Sequence, residues 1–272
     1  MSSCGCGSIY HIGSGGYKFG GSAVIAWDIR EGGISFGGAA GVINPADVYD
    51  GYLLACPLNE PEAPYHDYSR TQRDCVSDSS PESSDGVFCL PSLHYTRENG
   101  IGQLVSFAKD DHQGNLSFSC WINLDDNYRE KAIFTRGYRS NGNECVFSVS
   151  TSFINHLVCS IVTDAGSFAV YSDKTLETGR WYHVAAVYDG ISIQLFVNGV
   201  SNNSLAVTGI PFRMNNDGWI GSRDKGAYLT GNIQEVRLSS EVRDEDWFAM
   251  ERANYCGSLV VTGGEETVVT AV

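Results

Sequence analysis

The chain has 272 residues, 42% of them hydrophobic, enough for one large domain with a true core plus an appendage of some tens of residues. Its 32 acidic against 18 basic residues give a formal charge of −14 with no basic block to offset it, a surface that repels phosphate backbones and argues against nucleic acid as a partner. No apolar run approaches the roughly 18 residues of a membrane span, and the opening MSSCGCGSIYHIGSGG has neither the basic segment nor the apolar stretch of an export signal, so no membrane partner is expected.

Residues 1–50 are glycine-rich and carry an internal echo: GGYKFGGSA at 15–23 returns as GGISFGGAA at 32–40, so both copies read GGxxFGGxA. A flexible linker would account for the glycines. Recurring aromatics in register fit better with hooks that order against a partner, which makes Tyr17, Phe19, Trp27 and Phe36 the expected assembly-docking residues.

From Gly51 the texture changes, and residues 51–256 read as a single sandwich domain. A strand is expected at 52–58, then an irregular region at 59–86 that ends in an exposed polar loop at 77–86. Short strands follow at 87–90, 103–107, 116–122, 132–135, 144–149, 156–162 and 167–171. The strongest run, WYHVAAVY at 181–188, is joined by Asp189-Gly190 to a strand at 191–197, which itself ends in Asn198-Gly199; Asp-Gly and Asn-Gly between apolar runs are hairpin signals. Further strands are expected at 218–221 and 231–238, the latter with Ile233, Glu235 and Arg237 on one face and Gln234, Val236 and Leu238 on the other. So many short strands without helical crossovers predict an all-β, two-sheet antiparallel sandwich. One short helix is expected over 244–253, its acidic first turn suiting a helix N-terminus and its inner face formed by Trp247, Met250 and Ala253. Residues 257–272 are read as one more strand or an ordered arm.

The nine cysteines are scattered, and Cys120, Cys145 and Cys159 fall in apolar runs where they act as small buried hydrophobes, a set that fits a reducing cytoplasm better than a secreted disulfide framework.

At this point the residues resemble a known family. GRWYHVAAVYDGISIQLFVNGV, Gly179 to Val200, is similar to the signature of laminin-G-like, concanavalin A-like jelly-roll domains of the lectin/glucanase superfamily. LSFSCWINL at 116–124, the stretch from Trp219 through GNIQEVRLSSEVRDEDW, and YLLACPLNE with HDYSR at 52–60 and 66–70 resemble other blocks of that family in the same order. The resemblance implies a jelly roll and says little of function, because this fold hosts lectins, glycosidases, adhesion modules and virion parts. Two departures, Gln234 for the usual Asp and Arg70 for the usual Gly after Asp-x-Ser, weaken a standard Ca²⁺ site.

Among individual residues, Trp121, Trp181 and Trp219 are expected in the core, and His183 as a buried imidazole hydrogen-bonded to a loop. Glycoside hydrolysis needs two carboxylates facing each other across a groove. No Glu-x-Asp-x-x-Glu string occurs, and Glu235 with Glu241 is a poor substitute, so the chain is read as non-catalytic. Loop acids leave room for one structural Ca²⁺, with Asp67 and then Asp74 as its ligands, or for no cofactor at all. Tyr128, Tyr138, Asn141, Arg223 and Tyr228, aromatic and polar residues in loops, are the candidate glycan contacts.

Two functions remain open. One is an oligomeric structural or attachment protein on a virion surface, made in the host cytoplasm as a bacteriophage capsid decoration or tail component, with other proteins of the same particle and a host-surface glycan as partners. The alternative is an extracellular or cell-surface carbohydrate-binding or adhesion module.

Overall fold

The structure, a computed structural model, describes residues 51–87, 90–138, 144–223 and 226–255, together with Tyr49 and the short segments 18–19 and 22–23. In chain order the strands begin with β1 (Lys18–Phe19), β2 (Ser22–Ala23), β3 (Tyr52–Cys56), β4 (Val76–Ser79), β5 (Glu82–Asp85), β6 (Pro91–Tyr95), β7 (Arg97–Glu98), β8 (Ile101–Gly102) and β9 (Leu104–Phe107). Longer strands follow: β10 (Leu116–Leu124), β11 (Lys131–Tyr138), β12 (Cys145–Thr151), β13 (His156–Thr163), β14 (Gly166–Thr175) and β15 (Trp181–Tyr188). Then come β16 (Ser192–Val197), β17 (Val200–Ala206), β18 (Gly218–Ile220), β19 (Gly231–Ser239) and the helix α1 (Glu245–Tyr255).

Two antiparallel sheets make the sandwich. One runs β17-β16-β15-β10-β19-β6-β5, with β3 also paired to β19; the other runs β14-β13-β12-β11-β18-β9-β4. Strict alternation builds the layer between them. Leu116, Phe118, Cys120, Ile122 and Leu124 of β10 and Tyr182, Val184, Ala186 and Tyr188 of β15 point inward, against Phe147 and Val149 of β12 and Leu157, Cys159 and Ile161 of β13. Cys56, Cys75, Cys120, Cys145 and Cys159 are buried, and burial pushes the thiols of Cys56, Cys120 and Cys159 up. Cys120, Cys145 and Cys159 pack as small buried groups, as their positions in apolar runs led one to expect.

Turn chemistry also acts as read. Asp189 accepts from Ile191 N, Ser192 N and Ser192 Oγ at 2.9, 2.7 and 2.9 Å, which closes the β15–β16 hairpin. At Asn198-Gly199 both residues have positive φ, 55° and 76°. A Cβ on Gly199 would lie 2.7 Å from Ala249 Cα, so glycine serves the turn and also lets α1 approach.

Five expectations need correction. The polar stretch 77–86 is not a loop: β4 and β5 pair with β9 and β6 at the sheet edges. Their Ser, Asp and Glu side chains are mostly exposed, and an edge strand needs no apolar face, so no alternation marked them. Of the strand expected at 87–90, Val87 and Leu90 lie in no strand, Leu90 N donating to Val87 O at 3.2 Å and Gly86 N to Leu90 O at 2.7 Å, while Phe88 and Cys89 lie outside the described residues. In β19 a bulge at Glu235, φ +58°, shifts the register against β10, so Ile233 joins Val236 and Leu238 in the core while Glu235 and Arg237 face outward. Finally, the inner face of α1 is Phe248 and Glu251, with Trp247 only partly covered, and Trp181 is half-buried rather than in the core.

Of the docking residues, Phe19 lies in β1, which pairs antiparallel with β2 across Gly20-Gly21, so the first glycine repeat contains a short hairpin. Tyr17, Trp27 and Phe36, the glycan candidate Asn141 and the arm at 257–272 lie outside the described residues.

Candidate functional site

The candidate glycan residues divide between the two ends of the sandwich. β10 ends at Leu124 and β11 begins at Lys131, so the loop 125–130 sits at one end; β11 carries the chain roughly 25 Å to the other before the next loop. Tyr128, exposed, lies at the first end with Arg129 stacked on its ring at 4.2 Å. Arg223 and Tyr228 belong to the connection 221–230, which is fastened to the same end by Asp125 N donating to Thr230 O at 3.1 Å and Ala132 N to Ala227 O at 2.7 Å. Tyr228 is buried, its ring against Gly102, where a Cβ would clash at 2.5 Å, so it supports the loop and offers no contact surface. Tyr138 lies at the opposite end of β11, against Trp219 with centroids 5.5 Å apart. The four described candidates therefore do not form one cluster around one small ligand.

What the structure does assemble is a trough of about 270 Å³ on the outer face of the seven-stranded sheet, lined by Glu144, Ser148, Ser160, Ser167, Ala169 and Arg223 among others. Register puts Thr135, Ser148, Ser160 and Ala169 side by side on four successive strands. Ser148 Oγ and Ser160 Oγ are 2.8 Å apart, and Ser167 Oγ donates to Glu144 Oε1 at 2.7 Å. Thr135 Oγ1 donates to Ser222 O at 3.2 Å, which ties the Arg223 segment across the sheet; Arg223 then pairs with Glu130, and burial pushes its pKa down from the usual guanidinium value. The result is a floor of hydroxyls with a cation and a carboxylate among its walls. Such a surface offers donors and acceptors to a hydroxyl-rich ligand. Of this set only Arg223 was marked by sequence reasoning, because a serine on a strand's outer face carries no sign of what lies across from it.

Asp67 does another job than metal binding. Its Oδ1 accepts from Ala55 N and Ser69 N at 2.9 and 3.0 Å; its Oδ2 accepts from Ser69 Oγ, Thr71 Oγ1 and Arg73 N at 2.7, 2.9 and 3.3 Å. Those five protein donors fill the buried carboxylate and fasten the Asp-x-Ser loop to β3. Asp74 is engaged likewise, by Asp67 N and His66 Nδ1, both at 3.1 Å. Among the described residues no group of three or more His, Cys, Asp or Glu is placed to hold a metal ion.

His183 is buried as expected, but its partner is a helix carboxylate and not a loop. Its Nε2 lies 3.3 Å from Glu251 of α1, whose other oxygen receives Arg237 Nη1 at 3.2 Å, while Arg237 Nη2 reaches Glu235 at 2.7 Å. Trp121 meets the His183 ring at 5.3 Å. Burial alone raises the Glu251 pKa, but the His183 hydrogen bond and the charges of Arg237 and His183 outweigh it and hold the carboxyl at about 2. This network occupies the face of the eight-stranded sheet that α1 covers, and it takes Glu235 out of any acid pair with Glu241. Gln234, the departure from the family's Asp, accepts from Val87 N at 2.9 Å and is likewise buried.

Residues 99–248, more than half of the chain, match the profile described as the concanavalin A-like lectin/glucanases superfamily, laminin-G type. Among solved structures the chain is similar to the binding domain of Paraclostridial mosquitocidal protein 1, with TM-score 0.59 and 14% identity over 76% of this chain and 53% of that one. It is similar to the binding domain of botulinum neurotoxin DC in complex with SialylT, at 0.58 and 13% over 76% and 52%. A third is a botulinum neurotoxin type C structure, from work on cell entry through two ganglioside molecules, at 0.57 and 13% over 77% and 52%. At such identities the likeness is one of fold, and the chain spans about half the length of each. No curated protein matches the sequence.

Proposed function

The chain belongs to the concanavalin A-like lectin/glucanase superfamily, and on that footing we propose that it is a non-catalytic recognition module whose open seven-stranded face binds a carbohydrate on a cell surface. The observation that carries this reading is the trough of paired serines bounded by Glu144 and Arg223. Sugar hydroxyls exchange donors and acceptors with such groups, and a charged donor contributes the larger share. The resemblance of fold to toxin binding domains solved with SialylT or linked to gangliosides supports a recognition role at a surface.

Calorimetric titration with sialylated and neutral oligosaccharides tests it. The full chain binds at least one of them; Ala169→Trp, which fills the trough from an exposed position, and Arg223→Ala each weaken that binding about tenfold or more with an unchanged melting midpoint. Binding by both variants equal to that of the parent would move the site elsewhere.

A second reading, attachment within a virion through residues 1–50, is supported by the glycine repeat and the β1–β2 hairpin in its first copy. Deleting 1–50 then leaves a folded sandwich that no longer co-sediments with its particle. Normal assembly of the truncated chain would refute the docking role.

A further inference from the structure

The turn joining β12 to β13 has an unusual composition. Asn155 N donates to Ser152 O at 3.0 Å, so Phe153 and Ile154 are its two central residues, where small polar residues are the rule. Both project into solvent, 66% and 61% exposed, and Tyr128 on the adjoining loop is 61% exposed. A buried hub holds the tip out. Asn155 Nδ2 donates to Asp126 O at 2.9 Å, Asn155 O accepts from Leu176 N at 2.8 Å, and the fully buried Lys131 joins Asn155 Oδ1 at 3.2 Å to Asp126 Oδ1 at 2.8 Å. The exposure is thus built into the scaffold.

The charges around the tip are balanced, unlike those of the whole chain. Asp126 pairs with Lys131, Glu130 with Arg223 and Glu177 with Arg180, and Asp125 hydrogen-bonds His94 at 2.9 Å. Arg129, stacked on Tyr128, has no carboxylate partner among the described residues. We propose that this end of the sandwich docks on a zwitterionic lipid surface, with Phe153 and Ile154 entering the headgroup–acyl boundary and Tyr128 and Arg129 at headgroup level. Aromatic rings and arginines that reach toward phosphate suit that depth. A protein partner fits less well, because a convex two-residue tip buries far less than the about 1,200 Å² a stable interface needs, whereas a bilayer closes around it. The expectation of no membrane partner rested on the lack of a spanning segment, and a peripheral contact needs none.

Co-sedimentation of the full chain with phosphatidylcholine vesicles, which carry no glycan, tests this separately from sugar binding. The parent protein partitions onto the vesicles, and Phe153→Ser with Ile154→Ser lowers the partition coefficient about tenfold or more at an unchanged melting midpoint. Ile191→Ser, at the opposite end and 74% exposed, leaves it unaltered. A Phe153→Trp variant shows a blue-shifted emission on adding vesicles. Failure of the parent to bind overturns the proposal and makes a protein pocket the tip's occupant; equal loss in Ile191→Ser, or none in the double variant, overturns it too.

Discussion

Arg237→Ala is expected to cost the fold about 3–5 kcal/mol, read as a lower urea midpoint. The guanidinium lies between Glu235 and Glu251, both buried, and its removal leaves Glu251 with His183 and Ser119 and Glu235 with no ion-pair partner among the described residues. Arg237→Lys keeps the charge but cannot reach both acids with a planar fork, so it recovers part of the loss. The same network sets an acid limit. Glu251 faces His183, Arg237 and Ser119 and titrates at about 2 in the folded chain against 4.5 ordinarily. A depressed carboxyl pKa stabilises above the ordinary value, and that contribution, on the order of 3 kcal/mol, disappears as pH falls from 4.5 towards 2. Glu251→Gln should flatten the stability profile across that window relative to the parent; parallel profiles would show that Glu251 is not held low.

Phe134→Ala should cost about 3–5 kcal/mol as well, for an apolar reason. The Phe134 ring stacks on Phe107 at 5.1 Å and on Phe118 at 4.7 Å, and meets Phe147 edge-on at 6.4 Å. Phe118 comes from the eight-stranded sheet and the other three from the seven-stranded one, so this ring is where the two layers meet. Alanine leaves a cavity at the junction and removes three ring contacts together. Phe134→Leu retains most of the volume and should lose much less. A loss under about 1 kcal/mol for alanine would mean that the layers close over the gap.

How far residues disclose structure depends on how local the cause is. The β15–β16 hairpin was legible because Asp189-Gly190 and alternating Val and Ala lie within a few residues of each other. β17, VSNNSLA, was not, since it is an exposed edge strand whose polar side chains have no core to mark them. The inner face of α1 was misread for a related reason. Glu251 faces inward because Arg237 and His183 await it on the sheet, a fact absent from the helix's own pattern.

Thus alternation, turn dipeptides and the missing crossovers determined from the sequence alone that this is an antiparallel sandwich with one terminal helix, since those signals act over neighbouring residues and depend on backbone geometry. Tertiary structure decided the rest: that Asp67 is filled by protein donors, that Tyr128 and Tyr138 stand at opposite ends, and that Ser148, Ser160 and Arg223 share one trough. These are meetings of residues far apart along the chain, and only the packing and register of distant strands brings such groups within hydrogen-bonding distance.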